Sequence, residues 1–353
     1  MATASSYSIT SIQGAREDLS NSLRRVAPEQ TPMFSTLNQS SAPKALFTEW
    51  LNEPLDAPSF GSPRADGKDA SFDTDFSDHI KDRVRIGNRV QQFDSLGAVS
   101  PIAEMIDVAG PGSSLIAQSK AKALVHLKTC IESAIGSSHT PATGDSSTGD
   151  KLGGILHFGD PDATTGVFDT TAKQAFRAIG AGVAQDGTAS GTSRYDATSN
   201  GAISEATMRL LLQSAFEGGN AAGTRRLIAG TSLMNSITNF SRATNFVGGT
   251  QARAEANING TTMTLSVVEL VTDYGIVQVV PSLFLNRTSG NGLEAAGRNA
   301  GVLLPTDDTV SLKVLSPITV TDLPDSGGGG DRFLTRTVLT LCVLNSRALA
   351  TIV

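Results

Sequence analysis

Cysteine is nearly missing from this 353-residue chain, which carries Cys130 and Cys342 and no others. Two thiols so far apart make neither a disulfide framework nor a zinc or iron–sulfur spacing, and buried, reduced side chains are expected. Aromatic residues are scarce, at 5% with a single tryptophan, which excludes a dense aromatic core. Positive charge is in deficit: 28 Lys and Arg stand against 34 Asp and Glu, for a net charge of −6. Tight nucleic-acid binding needs clustered cations that displace counterions, so a protein that reads nucleic acid is not expected. No apolar run approaches the roughly 18 residues of a membrane span. Met1 to Arg16 also lacks the basic-then-apolar order of a secretory leader, and no membrane association is expected. No repeat of roughly 20 to 50 residues is visible, which removes solenoids and propellers.

What the chain does have is glycine, 35 residues of it, with hydrophobic residues at 39%. Its length suits two or three compact units, or one irregular fold with long extensions. Residues 1–44 are polar, with a helical stretch near Ala15 to Val26 and then Pro28, Pro32 and Pro43. Such a segment buries little by itself and reads as an arm. Residues 45–95 open with Phe47, Glu49, Trp50 and Leu51, pass Pro54, Pro58, Gly61, Pro63 and Gly67, and return through Val84, Ile86, Val90 and Phe93. Two strands around a charged, turn-rich tip predict a long hairpin, too thin to own a core. Within 96–136, Pro111 and Gly112 break the chain and Ser113 or Ser114 can cap. Ala117, Ala121, Leu124, Leu127, Ile131 and Ile135 then recur at helical spacing until Gly136. The spacing predicts a helix of about six turns over 113–135.

Residues 137–203 are rich in Gly, Ser, Thr and Asp, with only short apolar pieces such as Gly153–Phe158 and Ala172–Ile179, and are expected to be irregular and surface-exposed. Over 204–300 the signals alternate. A helix from Ser204 presents Met208, Leu211, Leu212, Ala215 and Phe216; a strand Arg226–Ala229 and a helix Ser232–Phe240 follow. Asn259-Gly260 is a two-residue turn signal. Thr262–Val271 and Ile276–Val280 read as paired strands about Asp273, Tyr274 and Gly275, ended by Pro281. A compact α/β lobe is expected. In 301–353, Val302–Leu304 and Ser311–Leu315 are extended, Gly327–Gly330 form a turn, and the apolar run Thr335–Val353 docks the C-terminus in a core.

Motifs of catalysis are hard to find. His79, His126, His139 and His157 show no i, i+4 pairing and no H-E-x-x-H, and there is no G-x-S-x-G elbow. Gly144 to Lys151, GDSSTGDK, approaches a phosphate-binding loop, but Asp150 sits where backbone amides should meet phosphate and no apolar strand precedes it. Asp66, Asp69, Asp73, Asp75, Asp78 and Asp82 suggest calcium, yet a loop started at Asp73 puts Asp78 at the required Gly and Val84 at the bidentate Glu. Arg64, Lys68, Lys81, Arg83 and Arg85 are interleaved with those aspartates, so a mixed-charge surface is the better reading. On an extended hairpin it can pair with a neighbouring copy and fix register. No catalytic, cofactor-binding or metal-ligating residue is assigned.

The order of parts is an arm, a long hairpin, a long helix, an α/β lobe and returning strands, and it resembles the HK97-type capsid fold. Arg16-Glu17-Asp18-Leu19, Pro28 and Thr31-Pro32-Met33-Phe34 resemble the N-terminal stretch of the SU10-like phage major capsid family. Phe47-Thr48-Glu49-Trp50 with Leu55, the Val90 to Phe93 return, Ala109-Gly110, Leu127-Lys128 and Ile131-Glu132 are in the same style. So are Asp273-Tyr274-Gly275, Val279-Val280-Pro281, Phe284-Leu285 and a strand ending near Asn345. The resemblance implies an α+β fold divided as N-arm 1–44, E-loop 45–95, P-domain with spine helix 96–136, insertion 137–203, A-domain 204–300 and P-domain return strands 301–353.

It further implies a non-enzymatic major capsid protein of a tailed double-stranded DNA phage. Such copies assemble in the host cytoplasm as hexamers and pentamers, into an icosahedral shell around a genome that is enclosed without sequence-specific binding. Inter-subunit contacts are then expected from Glu49, Trp50, Arg64, Lys68, Asp73, Asp75, Arg83 and Arg85 on the hairpin and from Arg16, Asp18, Pro32 and Phe34 on the arm. Asp273, Tyr274, Gly275 and Pro281 would be the A-domain motif. The implied partners are other copies, a portal protein and, where one exists, a decoration protein. Because the chain starts at the arm, a separate scaffolding protein is expected. No cofactor is implied. Two other readings stay open: an encapsulin, with the same fold around an enzyme cargo, and a tail-tube or surface-layer protein, against which the long helix argues.

Overall fold

The computed structural model describes residues 30–52, 65–69, 84–106, 114–159, 194–195, 197, 201–219, 223–242, 269–287, 295–306, 309–324, 330–345 and 348–353. The chain enters through a short helix α1 (Pro32–Thr36) and strand β1 (Asn38–Ser40). Next come the hairpin β2 (Phe47–Asn52) and β3 (Val84–Arg89), strand β4 (Gln91–Val99), helix α2 (Pro101–Met105) and the long helix α3 (Leu115–Ile135). After a one-turn helix α4 (Ile155–Phe158) follow β5 (Arg194–Tyr195), α5 (Glu205–Gly219), β6 (Arg225–Ala229), α6 (Thr231–Arg242), β7 (Glu269–Thr272) and β8 (Gly275–Pro281). The chain closes with α7 (Ala295–Asn299), β9 (Gly301–Pro305), β10 (Val310–Leu323), β11 (Asp331–Val343) and β12 (Ala350–Ile352).

Among the described residues the strands fall into three sheets, ordered β1-β10-β11-β4, β5-β12-β9-β6-β8-β7, and β2-β3 alone. In the first, β10 and β11 pair antiparallel from Val310↔Val343 out to Leu323↔Arg332. Strand β10 runs well beyond the expected Ser311–Leu315 and carries Pro317 within it. The register slips around Ser316 and again before Thr319, and a bulge is where a strand tolerates a residue with no N–H to donate.

Helix α3 lies across β4 and β11. Phe333 is fully buried there, and Gly97 makes room for it, since a Cβ at that position would stand 2.3 Å from the ring. Leu127, Ile131 and Ile135 are buried as the helical spacing predicts, and Ala123 joins them. Ala117 is exposed, however, and Ala121 and Leu124 are only half-buried. The first turns lie over the distal part of β10 and β11, where Lys120 rather than an apolar side chain meets the sheet. It sits 5.9 Å over the Phe333 ring and 2.6 Å from Asp322 Oδ1. Ser114 takes the N-cap position without a side-chain hydrogen bond.

The six-stranded sheet has cores on both faces. Successive strand residues point to opposite sides, so Leu227 and Ala229 of β6 pack with Met208, Leu212, Leu233 and Ile237. Ile228 joins Val302 and Leu304 in the other core, with Leu127, Ile131, Leu312 and Leu341. The helix–strand–helix alternation expected over 204–240 is present as α5, β6 and α6, and β7 pairs with β8 about Asp273 and Tyr274.

Two expectations are corrected. Most of 138–151 is exposed as expected, but 152–158 is not a surface segment: Leu152, Ile155, Leu156 and Phe158 are buried in the core under α3. Four apolar residues among polar ones carry too little periodicity to announce this. Residues 301–353 also do not all return to the first sheet, because β9 and β12 are strands of the second. An apolar strand reads alike in either place, and only long-range pairing assigns it. The helical stretch Ala15–Val26, residues 160–193, the Asn259-Gly260 turn and the part of Thr262–Val271 before Glu269 lie outside the described residues.

Candidate functional site

The sequence's nearest approach to a ligand loop fills itself. Asp145 Oδ1 accepts from the amides and hydroxyls of Ser147 and Thr148 at 2.7 to 2.8 Å. Asp150 Oδ1 accepts the Gly144 N–H at 2.6 Å. Those donors hold the Asp145 carboxyl well below the usual carboxylate range. Amides that could have faced a phosphate face the loop's own carboxylates instead. Among the described residues, no group of three or more His, Cys, Asp or Glu could hold a metal ion, and no helix is long and apolar enough to cross a membrane. Both thiols are free; Cys342 is buried, Cys130 half-buried, and burial pushes both up.

What stands out is how the described ends of the hairpin and of the N-terminal segment are fastened to the rest of the subunit. The hairpin β2–β3 pairs from Phe47↔Arg89 to Asn52↔Val84 and joins neither larger sheet. Its root is held by Asn88, fully buried, whose Nδ2 donates to Gly153 O at 3.1 Å and Leu341 O at 2.8 Å. Asn88 Oδ1 accepts from Gly153 N and Arg89 N, each at 2.8 Å. Arg89 lies 5.7 Å over the Phe47 ring and 3.5 Å from Asp150. Trp50, expected at an inter-subunit contact, is 8% exposed and packs against Phe158 at 6.1 Å within its own chain. Glu49 beside it is exposed, as is Lys68, which follows a tight turn at Gly67. The backbone of Arg85 pairs with Leu51, but its side chain lies outside the described residues, as do Arg64, Asp73, Asp75 and Arg83.

The arm's root is fastened differently. Arg16 and Asp18 lie outside the described residues. Pro32 opens α1, where its missing N–H costs nothing. Met33 is fully buried and Phe34 packs half-buried against the core. Their amides are taken by Glu132 of α3, Met33 N to Oε1 at 2.9 Å and Phe34 N to Oε2 at 2.7 Å. Ser282 Oγ, just past β8, donates to Oε1 at 3.5 Å. Glu132 is 1% exposed, and burial pushes its carboxyl up against the pull of these donors. Sequence reasoning missed both Glu132 and Asn88. For Glu132 the available signal was a charge beside Ile131 on the apolar arc of the helix; for Asn88 there was none.

In the lobe, Asp273 is exposed and Tyr274 half-buried, ringed by Phe216 at 5.7 Å. Gly275 has φ +124°, and a Cβ there would stand 2.2 Å from Gly223 O, so this turn requires glycine. Pro281 ends β8 opposite Ala229. The next segment crosses back to the long helix, where Asn286 N donates to Gly136 O at 2.8 Å. The motif residues of the lobe therefore shape a turn and a strand end.

The profile of the SU10 major capsid protein family matches residues 2–353. No curated protein matches the sequence. Among solved structures, the chain is similar to the capsid of a native GTA particle, with a TM-score of 0.58 at 12% identity over 99% of both chains. It is similar to a chain of Mycobacterium phage Che8, with a TM-score of 0.54 at 15% identity over 96% of this chain and 97% of that one. It is also similar to the holo-SrpI encapsulin complex from Synechococcus elongatus, with a TM-score of 0.51 at 12% identity over 96% and 91%. Identities this low speak for the fold alone.

Proposed function

The chain belongs to the SU10 major capsid protein family, and from that premise we propose how its parts build a shell. It is a structural subunit of a virion, a tailed-phage major capsid protein that forms an icosahedral shell, and not an enzyme. Membership of this family sets it apart from the encapsulins, which share the HK97-type fold. Copies close as hexamers and pentamers. The hairpin lies over a neighbouring subunit, with Glu49, Arg64, Lys68, Asp73, Asp75, Arg83 and Arg85 as the charges that pair across the joint. The arm, with Arg16 and Asp18, lies along another neighbour, while Pro32 and Phe34 at its root stay with their own subunit. The lobe turn at Asp273, Tyr274 and Gly275, with Pro281 behind it, faces the centre of the capsomer. A separate scaffolding protein sets shell size, a portal protein occupies one vertex, and a decoration protein is a candidate outer partner.

The observation that carries this reading is the β2–β3 ribbon. Its described strands pair with neither larger sheet, and while Thr48, Trp50 and Ile86 are buried, Glu49 and Leu51 stand exposed. A two-stranded ribbon has little stability in water by itself, and contacts from identical copies supply what it lacks. Many such contacts, each weak, sum to a strong closed shell. Electron micrographs of the purified full chain, with sedimentation, test it: closed particles are expected, and charge reversal at Glu49 and Lys68 together is expected to reduce them. A chain that stays monomeric at every protein and salt concentration, with or without a scaffolding protein, would overturn the reading.

A further inference from the structure

We propose that Glu132 is the pin that sets how the arm leaves the subunit, tying the arm's root and the end of a lobe strand to one turn of the long helix. The first amides of a helix have no acceptor within it. In α1 two of them, on Met33 and Phe34, are met by one carboxylate that lies 99 and 98 residues away in sequence. An anion is favourable at that end of a helix, and both oxygens are used. Among the described residues no cation is paired with Glu132. Lys128, one turn earlier on the same helix, is exposed, Arg287 from the segment after β8 lies over the Phe284 ring, and α1 brings no charge of its own.

The arm's root and Ser282 are therefore the partners of a carboxylate that is 1% exposed. Lifting the arm leaves a buried carboxyl without its donors, which is costly. Ser282 also marks where the chain leaves the lobe sheet, because its N–H donates to Ala229 O at 2.9 Å. A shift of the lobe against the long helix is thereby felt at the arm. The consequence for assembly rests on the shell reading; the pin itself does not.

Amide exchange on dissociated full-length subunits, read by mass spectrometry over residues 33–37, tests the pin. In the wild type the Met33 and Phe34 amides are expected to be protected. In Glu132→Gln, whose side-chain NH2 faces a donor, they should exchange faster by about tenfold or more, with β11 amides unchanged. Ser282→Ala, far from the arm in sequence, should speed the same amides by a smaller factor. Free exchange in the wild type, or full protection in Glu132→Gln, would overturn the pin. Should Glu132→Gln also lose protection in β11, the wild-type measurement decides alone. Assembly of Glu132→Gln then tests the consequence: fewer and less uniform shells than wild type are expected. A variant with a freed arm root that closes shells as uniform as wild type sinks the arm-setting role and leaves the shell reading standing.

Discussion

Asn88 uses all four hydrogen-bonding positions of its side chain on backbone groups of three segments, and Glu132 uses both oxygens on another. The exposed pair Arg336–Asp94, at 2.9 Å, is a surface contact of the kind that contributes at most about 1 kcal/mol. Removing a partner from a buried group costs more, because the other is left without water. Glu132 also gives the molecule a pH dependence. Burial pushes its carboxyl above the ordinary value, the Met33, Phe34 and Ser282 donors only partly offsetting it. The folded chain thus holds this proton more tightly than the unfolded one. The stability contributed by the group is complete below the ordinary carboxylate value and is lost as pH rises through the elevated folded value. Across that window the melting-temperature advantage of wild type over Glu132→Gln should shrink with rising pH. An advantage that grows there would reverse the assigned direction.

At the scale of elements, the described part of hairpin β2–β3 is anchored in its own subunit, with Thr48, Trp50, Ile86 and Asn88 buried. Trp50 is the chain's single tryptophan, so its fluorescence reports on that anchorage. Packed against Phe158 and 8% exposed, it should emit as a buried indole in dissociated subunits and keep that emission when shells form. A large blue shift on assembly would return Trp50 to the inter-subunit contact that the sequence suggested. Helices α3, α5 and α6 were legible because each carries enough turns to repeat an apolar spacing, and the β7–β8 turn because Gly275 needs positive φ. The burial of 152–158 was not, because seven residues give too few repeats of an apolar spacing to show a period. Nor was the length of β10, since a proline at a bulge looks locally like a strand's end.

For the whole molecule, β6 and β9 are the shared wall between two cores. Leu227, Ala229 and Leu303 face one, and Ile228, Val302 and Leu304 face the other. Loss of either core strips one face of the same strands, so the dissociated subunit should unfold in a single calorimetric transition. Two separated transitions would show that the lobe and the helix-covered sheet melt independently.

The sequence by itself determined the order of parts, the α+β class and the family, because turn chemistry, helical spacing and the succession of short motifs are all local. Only the tertiary structure decided that β9 and β12 join the lobe's sheet, that Leu152 to Phe158 are core, that Trp50 packs inside its own chain, and that Glu132 receives the arm. Each of these is a pairing between residues far apart in the chain. Local pattern says which face of an element avoids water; what covers that face is settled by packing alone.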